Sequence, residues 1–288
     1  MDYDIVMANK KITIIADSCC NLYSKDLSCD KIDFHVVPLT LVLGEEEFID
    51  NEKLDTAAFV QKMNASATCA RSACPTPEAF HEIMRKSDNI IVVTLSSKLS
   101  ATHASAVTAA DMIRASNPEK KLFVLDTLSA AAGLDFILFK LRDLIVEGKY
   151  SFDELTVKLN EVREQTRVRF LLQDLGNLVK NGRMSKMMGK ILTTAKIKLI
   201  CGDDGQGEIK KYGMALGTKR GLQSLAELAK NAVSAEMPVF ITHVHNKEDA
   251  DFLYNILKNK HGFTNIRVTL MRGVSSLYSA DKGIVIAY

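Results

Sequence analysis

The sequence predicts an α/β protein of two domains, a doubly wound, mostly parallel sheet followed by a mixed-sheet α/β domain, and three observations carry that prediction. In the first half, short β-rich runs at 12–15, 90–93 and 122–125 alternate with helix-forming segments, the order that lays strands parallel with helices packed on the sheet. In the second half, β signals at 197–201 and 208–212 flank the turn-rich stretch 202–207 and read as a hairpin, which makes that sheet mixed. Between the halves, Ser151-Phe152-Asp153-Glu154 is a capping box that starts a fresh helix just after Gly148-Lys149-Tyr150. The expected division is an N-terminal α/β domain over 1–150 and a C-terminal mixed α/β domain over 151–288, in keeping with a chain of 288 residues.

Each element has its own local reason. The first strand, 12–16, ends in Asp17-Ser18, an acid and a hydroxyl where an open α/β sheet places its functional loops; capping of the next turn accounts for the same pair. The segment 33–43 is too apolar for a solvent-facing strand and carries Pro38, so it reads as buried and kinked there. A helix follows Asp55-Thr56 through Phe59, Val60 and Met63, and another starts at Thr76 as N-cap with Pro77 at its first position. Beyond the strand at 90–93 the next helix carries Ala106, Ala109, Ala110 and Ile113 on one face. A strand ending in Asp126-Thr127 leads past Gly133 into a long apolar helix that stops at Gly148. A strand at 168–172, helices near 219–233 and 246–259 about a strand at 238–243, and a closing strand at 283–288 complete the second half.

Composition excludes several function classes. With 47% hydrophobic and 25% charged residues the chain can bury a full core, and 37 Lys plus Arg against 35 Asp plus Glu give no general attraction to a polyanion, so no nucleic acid partner is expected. The apolar runs are short and Met1-Asp2-Tyr3-Asp4 carries acids where a secretory signal needs positive charge, so a cytoplasmic location is expected. Six cysteines show no C-x-x-C pair and read as reduced thiols; His243-x-His245 is the nearest approach to metal-ligand spacing, and no cofactor or metal is expected. The chain also lacks the G-x-S-x-G elbow of serine hydrolases and a G-x-G-x-x-G after its first strand.

The chemistry is concentrated in hydroxyl-rich turns. Thr94 to His103 passes from strand to helix through Ser96, Ser97, Ser100 and Thr102, a place where hydroxyls and the unpaired N–H groups of a helix's first turn suit a carboxylate or phosphate. Ser72, just before the Thr76 cap, offers a second such turn, and the two could converge on one anion; capping alone also accounts for either composition. Lys180, Arg183, Lys186, Lys190, Lys196 and Lys198 occur with no acid between them and read as a solvated face or as a docking surface for an acidic partner or an anionic membrane leaflet.

Five motifs in register resemble those of the DegV family of bacterial fatty-acid-binding proteins. They are Ile14-Ile15-Ala16-Asp17-Ser18, Val36-Val37-Pro38-Leu39, Thr94 through Thr102, Val124-Leu125-Asp126-Thr127 with Gly133, and Lys180-Asn181-Gly182-Arg183. The resemblance runs nearly end to end and implies a DegV-like two-domain fold holding one long-chain fatty acid between the domains. It implies a carrier and not an enzyme, one that presents the carboxylate to a separate fatty acid kinase, with at most transient membrane contact. On that basis Ser72, Ser96 and Ser97 are the expected carboxylate-binding residues, Asp17, Ser18, Thr102 and Ser276 secondary candidates, and Arg183 and Lys186 the kinase-docking residues. The chain departs from the family pattern at Ala73-Cys74, where a Ser-Gln pair is usual, at Ala101, where many members have Gly, and at Leu216-Gly217, where Arg-Gly is common. Ser276-Leu277-Tyr278-Ser279-Ala280 replaces a His-Thr-Gly-Pro-Gly pattern whose His lies near the carboxyl group. The competing expectation is a binding protein or enzyme for a small phosphorylated or carboxylated metabolite, using the same turns.

Overall fold

The computed structural model describes residues 11–185 and 197–288, and its first strand, β1 (Ile12–Asp17), accounts for the parallel sheet. Every residue of β1 after Ile12 is buried, including Thr13 and Asp17, so the strand is covered on both sides. A short helix, α1 (Ser24–Leu27), returns the chain to β2 (Ile32–Val37), which pairs parallel with β1. Pro38 then removes a ladder donor. Past it the chain enters a small antiparallel sheet made of β3 (Thr40–Leu43), β4 (Glu46–Ile49) and, after α2 (Thr56–Ala65), β5 (Arg71–Ala73). The expected kink at Pro38 is therefore a passage between two sheets.

Local signals fix the helices. The Asp55 carboxylate caps α2 by accepting from the Ala58 N–H at 2.9 Å, and Thr76 caps α3 (Pro77–Met84) by accepting from Ala79 at 3.4 Å, with Pro77 at the first position. Strand β6 (Asn89–Thr94) is buried at every residue; α4 (Thr102–Ser116) joins it to β7 (Lys121–Asp126). Helix α5 (Ala132–Glu147) ends at Gly148, whose φ of +70° is open to glycine, and the Ser151–Glu154 capping box opens α6 (Phe152–Gln165). The second half follows as β8 (Val168–Leu171), α7 (Gly176–Lys180), β9 (Ile197–Asp203), β10 (Ile209–Leu216), α8 (Thr218–Ala232) and β11 (Val239–His243). It closes with α9 (Lys247–Asn255) and a π-helical turn (Ile256–Lys260), then β12 (Ile266–Leu270), α10 (Gly273–Ser279) and β13 (Ile284–Ala287).

The strand orders are β2-β1-β6-β7, all parallel, and β10-β9-β8-β13-β11-β12, in which β11 and β12 are parallel and the other pairs antiparallel. Alternation along the strands sorts the side chains into layers. Ile15, Ile90 and Val92 face α3 and α4, whereas Ile14, Ile91 and Val93 join a central core that continues through α5 to Phe170, Phe240 and Val285 on the inner face of the mixed sheet. Leu171, Ile241, Ile284 and Ile286 point the other way and are covered by α8 and α9. Helix α5 touches β6 on one side and β11 and β13 on the other, so it is the layer shared by both sheets. Gly133 in its first turn lies so close to Ser129 and Val168 that a Cβ would stand 1.9 Å from the Ser129 Oγ, which leaves room for glycine alone.

Candidate functional site

A cavity of about 110 Å³ lies where the turns after β6 and β7 meet β5, α10 and the inner face of the mixed sheet. Leu95, Leu99, Leu128, Phe170, Leu172 and Val285 give it a largely apolar wall, and among the described lining residues the charged ones are Arg183, Asp203 and Glu208. A larger hollow of about 720 Å³ between α5, α6 and Tyr288 is bordered by Lys140, Asp143, Glu147 and Arg167 and includes none of the sequence-predicted residues.

Several polar groups gather at the cavity from β5, α10 and the stretch after α7. Ser72 sits in the middle of β5, opposite Leu41 of β3, and its Oγ lies 3.0 Å from the phenol oxygen of Tyr278 on α10. Arg183 follows Gly182, whose φ of +72° suits glycine, and its guanidinium stands 5.8 Å from the Tyr278 ring centre. The Nε of Arg183 donates to the Leu99 carbonyl at 3.0 Å, tying it to the turn after β6. Asn181 donates to the Ala70 carbonyl at 2.9 Å, and Asn177 to that of Leu277 at 2.8 Å, so α7 fastens β5 to α10.

Helix α10 is held firmly. The Asp50 carboxylate accepts from the Gly273 N–H at 3.0 Å and the Val274 N–H at 2.9 Å, and burial raises its pKa. A Cβ on Gly273 would come within 2.6 Å of the Asp50 carboxylate, so the contact depends on glycine. Arg272 donates to the Asp50 carbonyl at 3.1 Å, and its own N–H donates to the Asn21 side chain at 3.0 Å. Asn21 in turn donates to Asp135, whose carboxyl burial pushes up to about 7.

The turn residues read from the sequence divide by position. Asp17, wholly buried, accepts from the Leu95 N–H at 2.7 Å and the Cys19 N–H at 2.9 Å; burial pushes its carboxyl up to about 7 against those two bonds. Ser18 accepts from the Leu39 N–H at 3.0 Å, beyond Pro38. Ser96, also fully buried, donates to the Gly207 carbonyl at 2.9 Å and so ties the turn after β6 to the β9–β10 loop. Ser97 is exposed, with its N–H donating to Asp126 at 3.1 Å, and Thr102 lies 2.9 Å from the Ser100 hydroxyl. Ser276 is buried and donates to the Met271 carbonyl at 3.3 Å, whereas its neighbours Ser275, Tyr278 and Ser279 line the cavity. Ser72 and Arg183 are thus at the cavity, Asp17, Ser18, Ser96 and Thr102 brace its surroundings, and Lys186 lies outside the described residues.

Tyr278 is not among the site residues expected from the sequence. The signal for it is the spacing of Ser275, Tyr278 and Ser279, which places them on one helical face once α10 is recognised. Another part of the wall is a loop in which Leu128 and Ala131 have φ of +51° and +50°, a conformation that costs non-glycine residues energy and often marks a working site. It is held by the Thr127 hydroxyl, donating to the Thr94 carbonyl at 2.8 Å, and by the Ser96 N–H, donating to the Ser129 carbonyl at 2.8 Å. His243 Nδ1 accepts from the Asn246 N–H at 3.1 Å, and among the described residues no group of three or more His, Cys, Asp or Glu could hold a metal ion. No described helix is long and apolar enough to cross a membrane.

The fold and the cavity define a class, a three-sheet α/β protein built around a largely apolar pocket with a few polar groups, the usual form of a small-molecule site. The chain belongs to the DegV family, whose model, described as "Uncharacterised protein, DegV family", matches residues 11–288. It is 33% identical over 276 residues to a DegV domain-containing protein of Streptococcus gordonii, covering 96% of this chain and 98% of that one. Among solved structures it is similar to the Streptococcus pneumoniae Fatty Acid Kinase (Fak) B3 protein loaded with linoleic acid, at a TM-score of 0.92 and 29% identity, over 96% of this chain and 99% of that one. A DegV family protein from Eubacterium eligens loaded with heptadecanoic acid is similar at a TM-score of 0.89 and 29% identity, over 96% and 98% of the two chains.

Proposed function

We propose that this protein is a non-enzymatic carrier that holds one long-chain fatty acid in the cavity between an N-terminal domain, 1–150, and a C-terminal domain, 151–288, and presents the carboxylate to a separate fatty acid kinase. The observation that carries the proposal is the cavity itself: leucine side chains from the turns after the parallel strands and phenylalanine and valine side chains from the mixed sheet face it, with the Ser72 and Tyr278 hydroxyls and the Arg183 guanidinium among its polar groups. A cavity of about 110 Å³ must widen to take a long acyl chain; with about fifteen methylenes then buried, the gain is on the order of 12 kcal/mol at roughly 0.8 kcal/mol each, from which the costs of widening and of lost entropy are taken. Apolar contact then sets affinity, and Ser72 with its polar neighbours sets orientation. Ser96 acts one step back, by closing the wall against Gly207, and the Ser97 N–H and the Thr102 hydroxyl shape the same turn. The fatty acids in the S. pneumoniae and E. eligens proteins support the ligand class, and the Fak B3 description supports the kinase partnership.

A small phosphorylated metabolite fits the cavity poorly, because the charged lining residues comprise one cation and two acids among those described. Calorimetric titration of delipidated protein with a long-chain fatty acid, a short-chain acid of the same head group and a phosphorylated metabolite tests the proposal. Saturable one-to-one binding of the long-chain acid alone is the expected outcome; preference for either small ligand overturns it.

A further inference from the structure

We propose that Tyr278 is a head-group residue, and that its phenol hydroxyl and the Ser72 hydroxyl together receive the carboxyl group; the inference rests on the fatty-acid reading above. The two oxygens are 3.0 Å apart on the cavity wall, one on α10 and the other on the small sheet. Each hydroxyl has a single proton that can rotate to suit its partner. In the hydroxyl pair one proton lies between the two oxygens, so only one is directed elsewhere. A carboxylate placed at the pair accepts from both, exchanging a neutral hydrogen bond for two charge-assisted ones, which are about twice as strong.

Of the other hydroxyls around the cavity, the buried Ser129 Oγ has no partner among the described residues and sits on the loop after β7, apart from the Arg183 guanidinium, and three more are engaged. Ser275 donates to the Cys19 carbonyl at 2.9 Å, Ser96 to Gly207, and Ser100 pairs with Thr102. Tyr278 is also set in place before any ligand arrives, since Asp50 anchors the first residues of α10 and Asn177 holds the Leu277 carbonyl. A donor already positioned loses little freedom on binding. The Arg183 guanidinium behind the ring supplies positive charge on the same side of the cavity. No histidine is among the described lining residues, so orientation falls to neutral hydroxyls with the arginine behind them.

The test compares wild type, Tyr278→Phe and Ser72→Ala for binding of a long-chain fatty acid and of its methyl ester, which has the same tail and no carboxylate. Phenylalanine keeps the ring and the cavity wall and removes the donor. The expected result is a loss of about tenfold to a hundredfold in acid affinity for Tyr278→Phe, with ester affinity changed less than about threefold. If the hydroxyls act as a pair, the double variant loses less than the product of the two single losses. Equal weakening of acid and ester, or acid affinity unchanged in Tyr278→Phe, assigns Tyr278 to the wall and overturns the inference while leaving the carrier reading intact. Failure of wild type to bind either compound overturns both.

Discussion

Replacing Ser96 by alanine separates bracing of the cavity from contact with the ligand. The Ser96 hydroxyl is fully buried, donates to the Gly207 carbonyl at 2.9 Å and accepts from the Lys98 N–H at 3.2 Å. Alanine removes both bonds and leaves a carbonyl without its partner at a wall that water scarcely reaches, a change that costs about 1–3 kcal/mol. For a chain of this size that lowers the melting temperature by on the order of 2–5 °C. The Gly207 backbone, held at a φ of +93°, is packed directly against this hydroxyl, close enough that a Cβ would meet the Ser96 Oγ at 2.5 Å. Ser72→Ala removes a half-buried hydroxyl paired with another hydroxyl, so its stability loss is smaller, about 0.5–1.5 kcal/mol, while its effect on acid binding is larger. Thermal melts of delipidated wild type, Ser96→Ala and Ser72→Ala, followed by fatty-acid titration of each, read both quantities. A Ser96→Ala variant that melts with wild type and loses the ligand refutes the reasoning, since it assigns that hydroxyl to the carboxylate.

Two other outcomes follow from the charges. Arg183→Gln keeps a donor but removes the cation, so acyl phosphate formation with the host's fatty acid kinase and ATP should fall at saturating fatty acid, most at low salt; equal turnover at all salt concentrations removes Arg183 from the docking surface. Asp17 has a native pKa raised from 3.8 to about 7, so the native state holds the extra proton between those values and stability falls as pH rises through them. Asp17→Asn abolishes that contribution: the stability of wild type relative to the variant should decline from about pH 4 to about pH 7, by at most about 1.4 kcal/mol per pH unit, and a flat difference measured by denaturant titration contradicts the burial argument.

Much of the fold is legible in the sequence because its signals are local. The apolar runs of β1 and β6, the Thr76-Pro77 start of α3, the capping box at Ser151 and Gly148 at the end of α5 each act within a few residues. The small sheet is not legible, since β5 is three residues long and becomes a strand only by pairing Ser72 with Leu41. Helix α10 is hidden for a similar reason: its first N–H groups are met by Asp50, more than two hundred residues away in the chain. The same distance effect governs the site. Hydroxyl-rich turns can be located, but whether Ser96 turns toward the ligand or toward Gly207 depends on a loop from the other sheet. Tyr278 reaches Ser72 only because α7, β5 and α10 are fastened together by Asn177 and Asn181.

Native mass spectrometry of the full chain, freshly purified from its host and never exposed to organic solvent, tests the carrier reading most directly. The account predicts a mass excess matching one long-chain fatty acid per chain, and its disappearance after solvent extraction with the acid recovered in the extract. A chain that flies at its bare mass, or with an adduct matching a phosphorylated metabolite, contradicts it.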